Sequence, residues 1–448
     1  LFKSWSYRNH RAFALLVRRF RRRVTPAGWL VVATAVVVGA IGADTNASNG
    51  YETFALLCCA ILASTICTPF GRARVAVERI LPKFGSVGQR LNYRLIVRSE
   101  APRSQAGLKL FENLPDPRPT FEEFALTPEP GEQRRNWVDR NYGYYRWRWL
   151  LSRNIRARFD EVALPPLAPG QELSVSASLI PLRRGVLRLE AVTVASPDPF
   201  GFFRSLRELR LPQSILILPE RHALPAFQLP GTVKYQQGGV SMAASVGESE
   251  EFVSLREYRA GDSLRRLHWK SFAKLGKPIV KEFQDEFFVR HALLLDTFGA
   301  PGAAELFEDA VSVAASVACA IQDQESLLDL MFVGAEAYCF TSGRGVGRIE
   351  KMLEILASVN LCLDREFSEL EQLVLDHMAD ISGCVCVFLE WDESRQRLVQ
   401  ALRAREIPVR VFVIVPAGAE APLGIMAADP HHFYVLTEGK IAEGLATL

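Results

Sequence analysis

Two apolar runs near the N-terminus constrain this chain more than anything else in it. Residues 24–43 carry no charge, and neither do residues 53–71. Each run has about the 17–25 residues an α-helix needs to cross a hydrocarbon core, and each is rich in Val, Ala, Leu and Ile. Residues 44–52 between them, with Asp44, Asn46, Ser48, Asn49, Gly50 and Glu52, make a polar turn. Together they predict a two-helix membrane hairpin over residues 26–71. The arginines set its direction. Lys3, Arg8, Arg11, Arg18, Arg19, Arg21, Arg22 and Arg23 precede the first run, Arg72, Arg74, Arg79 and Lys83 follow the second, and the loop carries only acids. Under the positive-inside bias both termini face the cytoplasm, and residues 1–25 form a basic cytoplasmic tail. The competing reading, a cleaved signal peptide with small residues at Ala40 and Ala43, leaves the second run unexplained. The chain begins with Leu1 rather than Met, and the sequence leaves open whether this is the true start.

Beyond the hairpin, 448 residues with 49% hydrophobic and 23% charged side chains suffice for two or three domains with real cores and exclude a disordered chain. Eight cysteines with no CxxC pair exclude a disulfide framework or a zinc site; Cys384 and Cys386 share a strand face as core residues. Over residues 72–220 short alternating runs (90–98, 172–179, 185–194, 213–218) are punctuated by Pro and Gly, the pattern of a β-sandwich of immunoglobulin-like type. Residues 196–204, Ser-Pro-Asp-Pro-Phe-Gly-Phe-Phe-Arg, read as a tight structural turn with a hydrophobic tip. An insertion at 132–160 breaks the rhythm, interleaving Trp137, Tyr142, Tyr144, Tyr145, Trp147 and Trp149 with eight arginines. Such interleaving serves a capping cover on the sandwich, a membrane boundary, a partner contact or single-stranded nucleic acid. Residues 221–250 are a low-complexity linker.

Residues 251–286 hold the densest chemistry. Between Arg256 and Lys281 eight cations (Arg256, Arg259, Arg265, Arg266, Lys270, Lys274, Lys277, Lys281) face two acids, Glu257 and Asp262. Leu264, Leu267, Phe272 and Leu275 recur at helical spacing, Gly261-Asp262 forms a capping turn, and Gly276 suits a left-handed stop, predicting a helix over 263–275 with these apolar residues and Trp269 packed. Glu257 and Asp262 are expected to orient the arginines. Arg266, Lys270 and Lys274 form a like-charge ladder that must be answered by something acidic: acids elsewhere in the fold, an acidic partner, or an anionic ligand.

The pattern Arg256-Glu257-Tyr258, Gly261-Asp262, Arg265-Arg266, His268-Trp269-Lys270, Ala273 and Lys281-Glu282-Phe283 resembles the signature of the bacterial "domain of unknown function 58" family. That resemblance implies a membrane-anchored β-rich region before the signature and a von Willebrand factor A-like domain after it, with MoxR-type AAA+ ATPases and transglutaminase-like proteins as neighbours. Residues 287–448 agree, since expected strands at 290–296, 327–333, 384–389 and 409–415 alternate with expected helices at 303–322, 347–359, 368–379 and 394–405 as in a doubly wound α/β domain. In von Willebrand factor A-like domains the first strand ends in Asp-x-Ser-x-Ser, whose oxygens hold Mg²⁺. Here Asp296-Thr297-Phe298-Gly299-Ala300 keeps the Asp but replaces both hydroxyls, so no cofactor is expected and Asp296 is the sole remnant of a metal site. Gly343, Gly345 and Gly347 have neither phosphate-loop spacing, and His431-His432 has no partner evident in the sequence.

Three functions follow from these readings. The leading one is a membrane-tethered cytoplasmic scaffold or adaptor that presents the signature surface to protein partners, a MoxR-type ATPase among them, without nucleic acid. The others are an enzyme using Glu257, Asp262 and His268, and a module binding an anionic ligand or nucleic acid. No Ser/His/Asp elbow, HExxH pair or nucleotide loop supports the enzyme.

Overall fold

The computed structural model describes residues 2–41, 48–225, 252–259, 264, 267–283, 289–300, 302–321, 326–342 and 346–447. They fall into two compact units, residues 1–220 with 353–359 and residues 221–352 with 360–448.

The first unit opens with helices α1 (Phe2–Arg23), α2 (Pro26–Ile41) and α3 (Ser48–Cys67). The segment expected as a basic tail is thus a six-turn helix. Within α3 the stretch Gly50–Cys67 is 18 residues long with mean hydropathy 1.6, enough to cross a membrane; the apolar stretch of α2 is shorter. Helices α2 and α3 lie against each other. The 196–204 turn clamps the ends of this pair. Thr25 N donates to Phe202 O at 3.0 Å, and Thr25 Oγ1 donates to Gly201 O at 2.6 Å. A side chain at Gly28 would stand 2.1 Å from Phe202 O, so only glycine allows α2 this close. From α3, buried Ser64 donates to Asp198 in the same turn.

Next come β1 (Val75–Ile80), β2 (Phe84–Ser86), β3 (Leu91–Ser99) and β4 (Lys109–Asn113), then helices α4 (Phe121–Leu126), α5 (Trp137–Tyr142) and α6 (Tyr144–Asn154). Strands β5 (Ala157–Phe159), β6 (Val162–Ala163), β7 (Glu172–Pro181), β8 (Gly185–Pro197) and β9 (Arg204–Leu218) complete the unit. They form two sheets, β1-β3-β7-β5 and β2-β9-β8-β4-β6. Alternate residues such as Tyr93, Leu95, Val97, Leu110, Leu189, Val194 and Ile217 close the core between them, which makes this a β-sandwich. One ionic network is buried in it. Arg79 of β1 grips Glu112 of β4 with both ends of its fork, at 3.0 and 2.7 Å, and Tyr93 OH donates to the same carboxylate at 3.0 Å. The aromatic insertion packs mainly on α1: Tyr7, Phe124, Trp147 and Leu150 make a satellite core.

The second unit begins with β10 (Phe252–Glu257), α7 (Trp269–Leu275) and β11 (Ile279–Phe283), with β10 and β11 paired antiparallel. Then follow β12 (Val289–Leu295), α8 (Ala304–Ile321), β13 (Ser326–Val333), β14 (Ala337–Ser342), α9 (Val346–Ser358, from Leu353 on counted with the first unit), α10 (Ser368–His377), β15 (Gly383–Phe388), α11 (Glu393–Ala404), β16 (Val409–Val415), β17 (Phe433–Thr437) and α12 (Ile441–Ala446). The sheet order is β14-β13-β12-β15-β16-β17, parallel throughout except for the antiparallel edge strand β14. Ala292, Leu294, Cys384, Cys386, Val411 and Val413 pack with α10 and α11 in one core, while α8 lies against the same central strands with Leu293, Leu295 and Val385 also fully buried. Helices therefore cover both faces, which is why these strands read as unbroken apolar runs.

Candidate functional site

The signature is held by the β10–β11 ribbon. Its register pairs Arg256 with Val280 and Glu257 with Ile279, and Leu267 forms a further bridge to Val280. His268 N donates to Ile279 O at 2.8 Å and fixes the start of α7; the helix stops where Gly276 adopts φ 67° and donates to Phe272 O at 2.9 Å. Only Leu267, Ile279 and Val280 of this region are buried hydrophobics among the described residues.

The helix is shorter than the expected 263–275, beginning at Trp269, and its apolar side chains are not packed. Trp269 is 66% exposed, Leu275 60% and Leu264 67%, with Phe272 also exposed. Helical spacing in the sequence marks an apolar face without saying what covers it. Trp269 and Phe272 meet edge to face with ring centroids 6.1 Å apart. Lys270, Lys274 and Lys277 are exposed around them, while Lys281 is half-buried. The result is an apolar-aromatic tip within a cationic rim.

The remaining signature residues sort by position. Arg256 donates to Glu257 O at 3.2 Å, and Tyr258 N donates to Pro278 O at 2.9 Å. Among the described residues Glu257 meets exposed Lys277 at 3.4 Å rather than an arginine. His268 Nδ1 lies 2.7 Å from Ser271 Oγ, inside its own turn. Gly261, Asp262, Arg265 and Arg266 lie outside the described residues, as do positions 343–345 and 226–250. Glu257 and His268 thus have separate partners in Lys277 and Ser271.

Asp296, at the end of β12, is fully buried and fully engaged. Its Oδ1 accepts from Phe298 N at 3.0 Å, and its Oδ2 accepts from Leu389 N at 3.2 Å and from Arg395 Nε at 3.1 Å. A second guanidinium nitrogen of Arg395 stands 3.0 Å away. Arg395 also meets Asp392 at 2.8 Å and lies over the Phe367 ring, 4.4 Å from its centroid. Burial pushes the Asp296 carboxyl up to about 6 against the pull of Arg395, so it is ionised at neutral pH. The donor set does not fit a divalent ion: Phe298 and Ala300 carry no hydroxyl, the Thr297 hydroxyl donates to Val333 O at 2.5 Å, and a guanidinium already neutralises the carboxylate. Arg395 was invisible to sequence reasoning, because nothing in residues 393–405 distinguishes it from its neighbour Arg397. His432 likewise has a partner that the sequence did not reveal, since a short helical turn brings Asp429 to 2.8 Å.

Residues 254–379 match the family described as protein of unknown function DUF58. That match spans β10 through α10 and includes the exposed tip and Asp296. The chain is also 25% identical over 189 residues to the uncharacterized protein YeaD of Bacillus subtilis, covering 42% of this chain and 46% of that protein, so it spans about half the relative's length. Both support the DUF58 family. Among solved structures it is similar over 32% of its length to a CARDB domain from Pyrococcus furiosus, covering 93% of that chain at 13% identity and TM-score 0.17. It is similar over 35% to a native alpha-2-macroglobulin segment from Escherichia coli, covering 21% of that chain at 14% identity and TM-score 0.19.

Proposed function

We propose that this protein is a membrane-tethered scaffold or adaptor, anchored by the α2–α3 hairpin, that docks a protein partner on the α7 tip. The observation that carries the reading is the exposure of Trp269, Phe272 and Leu275 beside Lys270 and Lys274 on a helix that buries nothing. Soluble surfaces rarely leave a contiguous aromatic patch uncovered without a use, and aromatic anchors within a cationic rim fit a partner with an apolar pocket and acidic surround. The family resemblance makes a MoxR-type AAA+ ATPase the natural candidate, with transglutaminase-like proteins as further neighbours. The sheet order with its single antiparallel edge supports a von Willebrand factor A-like reading of the second unit, one in which Arg395 takes the place of a metal. The β-sandwich is read as immunoglobulin-like, and both termini as cytoplasmic.

The test is capture of a MoxR-type ATPase by the full chain in nanodiscs. Trp269→Ala with Phe272→Ser, and separately Lys270→Glu with Lys274→Glu, should each abolish capture at unchanged melting temperature. Retention of capture by both variants removes the docking reading.

A further inference from the structure

Helix α1 divides lengthwise into three faces. At about 100° per residue, Ser6, Tyr7, His10 and Ala14 fall on one face, Trp5, Phe13, Leu16 and Phe20 on a second about 120° away, and Arg8, Arg11 and Arg19 on the third. The first face is committed to the protein. Tyr7 OH donates to Pro119 O at 3.1 Å, His10 Nε2 lies 3.0 Å from Tyr142 O, His10 stacks on Trp147 at 5.7 Å between ring centroids, and Ser6 donates to Tyr142 O. The second face is turned outward and apolar except for Asn9 in its N-terminal half, which donates to Tyr142 OH at 3.4 Å; Phe13 is 67% and Leu16 55% exposed. The third is basic, with exposed Leu15 between Arg11 and Arg19, and α1 has no acid along its length.

The position of α1 says what covers the outward face. Only Val24 and Thr25 separate it from α2, and both are tied to the 196–204 turn, Val24 by a bridge to Phe203. That turn also holds Ser64 near the end of α3, so it marks the base of the apolar hairpin. Exposed Phe200, stacked on Phe202, sits at the same level. Contacts with α4, α5 and β9 hold α1 against the sandwich.

We infer that α1 lies in the headgroup layer of an anionic leaflet, with Trp5, Phe13, Leu16 and Phe20 among the upper acyl chains and Arg8 and Arg19 on phosphates. An apolar stripe beside a row of arginines, joined by two residues to an apolar helix, has the composition of an interfacial helix. The inference rests on the hairpin anchor proposed above. It adds a fixed platform that sets the height and tilt of the sandwich against the membrane.

The test places the photocrosslinker p-benzoylphenylalanine at Phe13 of the full chain in phosphatidylglycerol-rich nanodiscs, with Val36 on α2 as a control for the anchor. Both positions should crosslink phospholipid, seen as a lipid-sized mass increase. Arg8→Glu with Arg19→Glu, or replacement of the anionic lipid by phosphatidylcholine, should lower lipid labelling at Phe13 by roughly fivefold or more and leave Val36 unchanged. A thermal melt checks that the variant keeps its fold. Lipid labelling at Val36 without any at Phe13, or a protein adduct at Phe13 in native membranes, overturns the inference and leaves the anchor standing. Labelling at Phe13 that ignores both charge and lipid composition overturns the anionic part. Failure at Val36 overturns the anchor and the inference with it.

Discussion

Asp296 and Arg395 are the clearest case of a single residue deciding chemistry. Removing one partner from a fully buried pair leaves an uncompensated charge, which costs about 3–5 kcal/mol. Arg395→Met should therefore lower the stability of the α/β unit by about that much in urea unfolding of the full chain, and Asp296→Asn added to it should restore part of the loss. Neither the wild type nor Asp296→Asn should show Mg²⁺ binding by calorimetry. His291 gives a pH signature. Burial pulls it down to about 4 from the ordinary 6.5, so it folds neutral, and its Nδ1 has no hydrogen-bond partner among the described residues. A depressed folded pKa contributes stability that is present above 6.5 and is lost as pH falls through 4, up to about 3 kcal/mol when protonation is complete. Asp296 works in the opposite sense, since its raised pKa makes the fold lose stability as pH rises from 3.8 through about 6. His291→Gln should thus remove the acid-side loss and expose the Asp296 trend, as read from unfolding midpoints between pH 4 and 7.

Among elements, α7 separates propensity from packing. Its apolar residues recur as in a buried amphipathic helix, yet the seven-residue helix between His268 and Gly276 presents them to solvent. A Trp buried in a core would cost about 3–5 kcal/mol on truncation, whereas an exposed one costs no more than about 0.5 kcal/mol. Trp269→Ala should therefore leave the unfolding midpoint within that smaller limit, and a loss of several kcal/mol would show that the side chain is covered in the folded protein. Helix α1 shows the converse. Its eight cations dominate the sequence and suggest a tail, but Tyr7 and His10 anchor it against Phe124 and Trp147.

At the scale of the whole molecule, the two units are joined through a chain whose N-terminal third carries the membrane signal. The arginine distribution around α2 and α3 predicts that both ends stay on the cytoplasmic side. An alkaline phosphatase fusion after Leu448 should be inactive and a green fluorescent protein fusion there should fluoresce; the reverse pattern would refute the orientation. Most of the α/β order was legible from periodicity. The strand expected at 409–415 is β16, and the helix expected at 303–322 is α8 within a residue at each end. Strands β14 and β17 were missed, because edge strands with half-exposed residues lack the unbroken apolar run that marks a central parallel strand.

The sequence by itself determined the elements and their faces: the apolar helices, the alternating strands of the sandwich, the central strands of the α/β sheet and the degenerate Asp296 motif. These are local properties, written within a few residues of chain by hydrogen-bonding period and by side-chain polarity. Only the tertiary structure decided what meets each face. Arg395 reaches Asp296 across 99 positions, Ser64 reaches Asp198 across 134, and Tyr142 reaches His10 across 132, each pairing set by the path of the backbone rather than by any spacing. The same path leaves Trp269 and Phe272 uncovered, where helical period alone had put them in a core.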